Sequence, residues 1–140
     1  MFLMELIFAI LIFSIASAIS VSAFAKAHAL SSQASVENAS VSLVSSAADL
    51  VRSSSSYDDA ENVLAESYSK ADFANGICSV YYDRNLAECS AGQAAYILSV
   101  QLLGPKGGLL TAELDFQKAD PEDGQDSSLY HLEIEHAVRQ

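Results

Sequence analysis

The most restrictive feature of the sequence is an apolar N-terminal run with a single charge. Residues 1–25 contain one charged side chain, Glu5, and the next charge is Lys26. As a helix, this run rises about 37 Å, which is enough to cross the hydrocarbon core of a bilayer. We therefore expect residues 1–25 to have been in a membrane during the life of the protein.

The helical pattern extends beyond this apolar run. Residues 1–56 contain neither glycine nor proline, and the half after residue 25 repeats aliphatic side chains at helical spacing. They form two adjacent stripes: Leu30, Ala34, Val41, Val44, Ala48 and Val51 in the first, and Val36, Leu43, Ala47 and Leu50 in the second. We predict one helix that is apolar all round over residues 1–25 and amphipathic over 26–56. Two stripes predict two partners, the protein's own sheet and neighbouring subunits.

Residues 57–76 predict a connecting segment that contains a short helix. Ser56 and Asp59 have the spacing of a capping box, which favours a helix from about residue 57 to residue 69. Asn75-Gly76 then indicates a turn. The segment therefore links the long helix to whatever follows Gly76.

Residues 77–140 predict an antiparallel sheet, because their apolar period is two rather than helical. Strands are expected at residues 77–82, 86–90, 94–103, 110–117 and 130–135, with a hairpin centred on Asp83-Arg84. Such a meander buries one face, and the amphipathic helix half is available to cover it. The predicted fold class is α+β, a long N-terminal α-helix packed on an antiparallel β-meander.

The charge balance and the motifs exclude several classes of function. Residues after Ser56 carry 15 acidic and 5 basic side chains, and the whole chain has a net charge of −11. An acidic head argues against direct binding of nucleic acid, which needs a basic face. The sequence contains no nucleophile elbow, no glycine-rich phosphate loop and no close grouping of histidine with carboxylates. We expect a protein without enzymatic activity and without a cofactor.

Two cysteines, Cys78 and Cys89, predict a structural disulfide. An even number of cysteines in an exported chain is typical of an oxidising compartment. A hairpin centred on Asp83-Arg84 would place residue 78 opposite residue 89, where a cross-strand bond fits. The alternative is a pair of free buried thiols.

The acidic loop at residues 120–126 contains the weak candidate ligands for calcium. Asp120, Glu122 and Asp126 offer hard oxygen donors. Gly124 does not stand where an EF-hand loop needs its glycine, so a solvated loop is the favoured interpretation. No other metal site is expected.

Glu5 is the residue that points most directly to function. A carboxylate within a membrane helix costs about 2.5–3.5 kcal/mol on insertion scales unless it finds a partner. Glu5 lies one helical turn from the N-terminus, so it would meet the terminal amine of Met1 on a neighbouring, axially staggered subunit. The alternative is a tolerated charge near the chain end, close enough to the membrane surface to stay hydrated.

The start of the chain, Met1-Phe2-Leu3-Met4-Glu5-Leu6-Ile7, resembles the mature N-terminus of type IV pilins and of type II secretion pseudopilins. The resemblance implies a subunit already cleaved by the prepilin peptidase, with a methylated amine, that polymerises into a filament on the bacterial cell surface. It implies a filament core built from the apolar side chains of the first turns: Phe2, Leu3, Leu6, Ile7, Phe8, Ile10, Leu11 and Phe13. The implied partners are other copies of the chain, the inner or cytoplasmic membrane before assembly, and the pilus assembly machinery.

This sequence departs from the family in its helix, where serines stand in place of the glycine and proline that often let pilin helices unwind. They are Ser14, Ser17, Ser20 and Ser22. Serine hydroxyls can bond to backbone carbonyls and bend a helix more weakly than proline does. A continuous helix and a locally unwound one both remain open at this point.

Three alternatives to a major filament subunit also remain. A pseudopilin or minor pilin of a secretion or DNA-uptake apparatus would share the same N-terminal helix. A membrane-anchored binding module would use residues 1–25 only as an anchor. A secreted module would lose them as a signal peptide, since Ala23-Phe24-Ala25 before Lys26 is similar to a cleavage site, although the basic start of such peptides is missing.

Overall fold

The computed structural model describes residues 1–120 and 127–138, which form two compact units, Met1–Val36 and Glu37–Gln140. The helices are α1 (Phe2–Ser53) and α2 (Tyr57–Ser67), and the strands are β1 (Asp72–Ala74), β2 (Ile77–Tyr82), β3 (Tyr96–Lys106), β4 (Leu109–Lys118) and β5 (Ser128–Ala137). A single 3₁₀ turn, Ala91–Gln93, lies between β2 and β3. The fold is α+β, with the long N-terminal helix packed on a five-stranded antiparallel sheet.

Helix α1 is continuous through its serine-rich part. Of the two alternatives left open above, a continuous helix and a locally unwound one, the structure has the continuous helix. The hydroxyls of Ser14, Ser17 and Ser20 donate to the carbonyl oxygens of the residues four positions earlier, each at 2.8 Å. Each hydroxyl is thus satisfied by its own helix and needs no water or partner. These serines therefore add no unsatisfied polar groups to an apolar surface.

Helix α1 ends three residues earlier than predicted, because the serines after it stop the helix. The backbone N–H of Ser54 donates to the carbonyl of Val51 at 3.2 Å, and the Ser54 hydroxyl donates to the same oxygen at 2.5 Å. Ser56 then adopts an extended conformation, with φ −151° and ψ 173°, and begins α2 as its N-cap. The Val51 carbonyl thus has its hydrogen bonds from Ser54, and the extended backbone at Ser56 prevents the helix from continuing.

The cap of α2 differs slightly from a standard capping box. The Ser56 hydroxyl accepts a bond from the Asp59 N–H at 3.2 Å, as predicted. The Asp59 carboxylate accepts from the backbone N–H of Ser55, at 2.7 Å, rather than from that of Ser56. This bond and a second one from the Ser55 hydroxyl, at 3.0 Å, lower the pKa of Asp59 because they favour its charged form.

The sheet is a meander in the order β1-β2-β3-β4-β5, and its first strand was not predicted. The connecting segment 57–76 contains β1, which pairs with β2 through Asn75-Gly76. Both turn residues have positive φ, 54° for Asn75 and 77° for Gly76, as a type I′ hairpin requires. An Asn-Gly pair is a strong hairpin indication, so this strand could have been found from the sequence.

The predicted strand at residues 86–90 is wrong. Only an isolated bridge, Tyr82 to Glu88, forms there. The Asp83 carboxylate accepts bonds from the backbone N–H groups of Asn85, at 2.7 Å, and Ala87, at 3.0 Å, and Leu86 has a φ of 61°. This side-chain-capped loop replaces the tight turn at Asp83-Arg84 and moves the centre of the reversal to Asn85.

Strands β3, β4 and β5 alternate between buried and more exposed residues, as the period of two predicts. On β4, Leu110, Ala112, Leu114 and Phe116 are fully buried. Strand β3 runs further than expected, to Lys106, after an irregularity between Leu103 and Lys106. The turn itself is Gly107-Gly108, whose φ values of 64° and 84° suit glycine.

The core of the second unit corrects the expectation of two separate helix stripes. Members of both stripes, Val44 and Val51 from the first and Ala47 from the second, are fully buried in one cluster with the sheet. Leu43 and Leu50 pack against the same cluster. Adjacent stripes on one helix thus form a single wide face, and it covers the sheet of its own chain. The members that stay on the surface include Leu30 and Val41.

Candidate assembly interface

The surface of the first unit is an apolar helix that is not covered by any other part of residues 1–120 and 127–138. Every residue from Met1 to Ser35 is exposed. The side chains predicted for a filament core are between 47% and 78% exposed: Phe2, Leu3, Leu6, Ile7, Phe8, Ile10, Leu11 and Phe13. A contiguous apolar surface of this extent marks a membrane or protein contact. Something outside the chain must cover it in water.

The structure contains one helix that is long and apolar enough to cross a membrane, among the residues that it describes. This helix is α1, and it lies near the N-terminus. By length and composition, a membrane anchor and a signal sequence both suit it. This finding is compatible with a membrane-embedded stage.

Glu5 lies in the first turn of α1. Its backbone N–H donates to the carbonyl of Met1 at 3.3 Å, so the two residues are one turn apart in the same chain. A carboxylate here is favoured by the exposed N–H groups of the helix start. Within residues 1–120 and 127–138, no side chain forms an ion pair with Glu5. Its pairing with the amine of a neighbouring subunit stays a prediction.

Lys26 lines a shallow groove on the same unit, and this groove was not predicted from the residue pattern. The groove is formed by Ala18, Ile19, Ser22, Ala23 and Lys26. Side chains one and two turns apart share one helix face, and three of these five are small. Small side chains let a second helix or a large apolar side chain approach closely.

The cysteines do not have the predicted register, and both are free and buried. Cys78 lies on β2 between Phe73 and Val100, whereas the N–H of Cys89 donates to the carbonyl of Tyr81. Three residues of strand separate Tyr81 from Cys78, a rise of roughly 10 Å. Cysteines more than about 7 Å apart between Cα atoms cannot be bridged without backbone movement. The cross-strand geometry predicted for the disulfide is therefore wrong.

Burial makes the Cys78 thiol a poor nucleophile. It raises the pKa of Cys78 from 9.0 to about 11. Burial also raises the pKa of Tyr68 and of Tyr82, and the nearby Cys78 and Glu88 add to both increases. A thiol that is protonated and buried resists oxidation and exchange. The Cys78 side chain therefore fits a packing role in the core better than a role in redox chemistry.

The outer face of the sheet is polar and acidic. Glu113 on β4 stands directly opposite Glu133 on β5, and Asp115 stands opposite His131. The Ser128 hydroxyl bonds to the Asp115 carboxylate. A shallow depression there is lined by Ile77, Ser99, Gln101, Glu113, Asp115, Ser128 and His131. Like charges in direct opposition favour solvation of this face over self-association.

The calcium candidate rests mostly on residues outside the described part of the chain. Glu122 and Asp126 lie outside the described residues, and Asp120 lies at the edge of the gap. Among residues 1–120 and 127–138, no three His, Cys, Asp or Glu side chains are grouped so that they could hold a metal ion. The calcium site stays a prediction.

No family model, curated protein or solved structure matches this chain. The resemblance to pilins therefore rests on the N-terminal residues and on the order of the elements.

One contact that joins distant parts of the second unit was not predicted. The Nε2 atom of His136, on β5, donates to the carbonyl oxygen of Ser54 at 3.0 Å, across 82 positions of sequence. This carbonyl lies just beyond the end of α1, where carbonyls lack helical partners. No local pattern could have found the contact, because only the fold brings the two residues together.

Proposed function

We propose that this protein is a structural subunit of an extracellular type IV pilus-like filament and that it polymerises through residues 1–36. The observation that carries the proposal is the contrast between an entirely exposed apolar helical unit and a second unit with its own buried core. Glu5, at the fifth position of this exposed unit, is its only acidic residue.

The exposed unit fits two environments in turn. A membrane covers the apolar surface before assembly, and the helices of other subunits cover it afterwards. Lipid is as apolar as leucine, so the exchange needs a driving force other than the hydrophobic effect. Close approach at small side chains, such as Ala18 and Ala23, and the pairing of charges supply it.

Glu5 gives the exchange its specificity. An unpaired carboxylate in an apolar environment costs about 2.5–3.5 kcal/mol on insertion scales. The Met1 amine of a neighbouring subunit removes this cost when the two helices are offset by four residues, about 6 Å. Any other offset separates Glu5 from this amine, so the pair favours one axial position for the subunit that supplies the amine.

The second unit forms the outer shell in this account. Its acidic outer face remains hydrated, and its own core is complete without a neighbour. The same N-terminal interface serves a pseudopilin or a minor pilin, which differ from a major subunit in copy number rather than in this chemistry. If the helix never leaves the membrane, the protein is instead a membrane-anchored binding module.

The test is the substitution Glu5→Gln in cells that produce the protein, with Glu66→Gln as the matched control. Glu66 is exposed on α2, so its substitution makes the same chemical change outside the proposed interface. We expect Glu5→Gln to lower filament yield more than tenfold, because a charge-assisted bond contributes about 1.5–3 kcal/mol at each interface. The head should unfold at the same denaturant concentration as in the original protein.

Filament counts by electron microscopy and unfolding of the detergent-solubilised subunit measure the two effects. Normal filaments from Glu5→Gln would refute the charge-pairing mechanism. An equal loss from Glu66→Gln would place the effect outside the interface.

A further inference from the structure

The first unit carries two charged side chains of opposite sign, near the two ends of its apolar surface. Glu5 lies in the first turn, and Lys26 follows the apolar run. Both are exposed. Pairing of Glu5 with an N-terminal amine leaves the Lys26 ammonium without a partner when other helices cover this surface. A covered ammonium needs an anion.

The two charges cannot meet within one chain. Helix α1 is continuous across both residues, and 21 positions of helix correspond to about 31 Å. At 100° per residue, the two side chains point about 60° apart around the axis, so they share one side of the helix. A pair between them must join two copies.

The shallow groove beside Lys26 leaves this face of the helix open to a second copy. It is lined by Ala18, Ile19, Ser22 and Ala23 together with Lys26, which comes last of the five along the helix. The N-terminal turn of another chain offers large apolar side chains, Phe2 and Phe8, next to the Glu5 carboxylate. An apolar groove that ends in a cation complements an apolar segment that carries an anion.

We propose that Lys26 of one subunit binds Glu5 of a second copy whose N-terminal turn lies in the groove, at an axial offset of about 31 Å. The proposal rests on the filament proposed above and adds a second neighbour to it. A carboxylate has two oxygens and about four acceptor sites, so Glu5 accepts from the Met1 amine of one neighbour and from Lys26 of another. The two contacts fix two different offsets in the same array.

Glu37 is the rival anion, because it lies 11 positions after Lys26 on the same side of the helix. It belongs to the second unit, and it already has an interaction within its own chain. The Glu5 carboxylate has no ion pair among the described residues and stands in an apolar surface. The complementary charge is therefore Glu5.

Crosslinking of assembled filaments tests the proposal. The double variant Glu5→Cys with Lys26→Cys is made in a chain whose native cysteines are replaced, Cys78→Ala and Cys89→Ala, and a short bifunctional maleimide spans the pair. Because Glu5→Cys removes the carboxylate, it is co-expressed with an excess of the Cys78→Ala, Cys89→Ala chain so that filaments form. Intrachain crosslinks are excluded by the 31 Å separation along the helix.

We expect crosslinked dimers from this double variant. The control replaces Lys26→Cys by His28→Cys, which turns the thiol about 200° around the helix and should give few dimers. A second control replaces Glu5→Cys by Glu37→Cys. Filaments that give dimers from the Glu37 pair and none from the Glu5 pair would overturn the proposal.

Single substitutions at Lys26 give a second readout. Lys26→Gln should lower filament yield several-fold, Lys26→Arg should restore most of it, and Lys106→Gln, the matched control on the head, should have no effect. Normal filaments from Lys26→Gln would overturn the Lys26 proposal and leave the filament proposal intact. Absence of filaments from the original protein would overturn both.

Discussion

The two units of this chain use apolar residues in opposite ways. Residues 1–36 have every apolar side chain on the surface except the half-buried Val36, whereas the second unit buries Phe116, Leu114, Val100 and others completely. Helix α1 takes part in both units. The difference lies in what covers the helix, since the sheet covers residues 40–51 and none of the residues that the structure describes covers residues 1–35. An apolar surface thus shows where burial is needed, and the fold shows whether the chain provides it.

The largest expected effect comes from removal of the first unit. A chain that starts at Glu37 keeps all the buried core residues, so the head should fold and stay monomeric without detergent. Circular dichroism, thermal unfolding and light scattering measure these properties. Failure of the shortened chain to fold would mean that the two units are not independent.

A matched pair of phenylalanine substitutions compares the units directly. Phe116→Ala removes a fully buried ring that contacts the rings of Tyr82 and Tyr96, so the head should lose about 3–5 kcal/mol of unfolding free energy. Phe13→Ala changes a ring that is 74% exposed and should leave head unfolding unchanged. Denaturant unfolding of both variants in detergent measures the difference. Similar losses in the two variants would contradict the contrast between the units.

Alkaline pH should lower the unfolding free energy of the second unit. Burial raises the pKa of Cys78 from 9.0 to about 11, so the protonated thiol stabilises the fold below about pH 9, and this contribution is lost as the pH rises to about 11. Tyr82, whose pKa is also raised, adds a loss at still higher pH. Unfolding at about pH 8 and about pH 10.5 should show the decline, and Cys78→Ala should reduce it. An unchanged decline in Cys78→Ala would assign the effect to other groups.

The smallest expected effect concerns the bond between the last strand and the end of α1. His136→Ala removes the donor to the Ser54 carbonyl and should cost about 1 kcal/mol of head stability. His131→Ala, on the exposed face of the same strand, is the control and should cost less than about 0.5 kcal/mol. Equal effects from the two histidines would remove the specific role of His136.

Much of the fold can be predicted from the sequence, because the spacing of apolar residues and the helix caps depend on residues that are close together in the chain. The absence of glycine and proline predicts α1, Ser56 and Asp59 predict the start of α2, and the period of two predicts the faces of β3, β4 and β5. Strand β1 has only three residues and no alternation of its own, so its Asn-Gly turn was its one indication. The register of Cys89 depends on the loop capped by Asp83, which residue types alone do not specify.

The candidate site was predictable only in part. Glu5 and the apolar side chains proposed for the filament core can be identified from the sequence alone, because residue type shows directly which positions carry a charge. The groove beside Lys26 depends on which side chains lie on one face of the helix. The His136 contact depends on the fold, which brings β5 to the end of α1. The joint use of both helix stripes was missed because the sheet is wide enough to cover two adjacent stripes at once.

The most direct test of the central claim is electron microscopy of filaments sheared from the producing cells, with mass spectrometry of the subunit that they contain. We expect filaments built mainly from this chain with residues 1–36 present, and Glu5→Gln should lower their yield more than about tenfold. A chain found only as a membrane-bound monomer, or as a secreted monomer that begins at Lys26, would contradict the central claim.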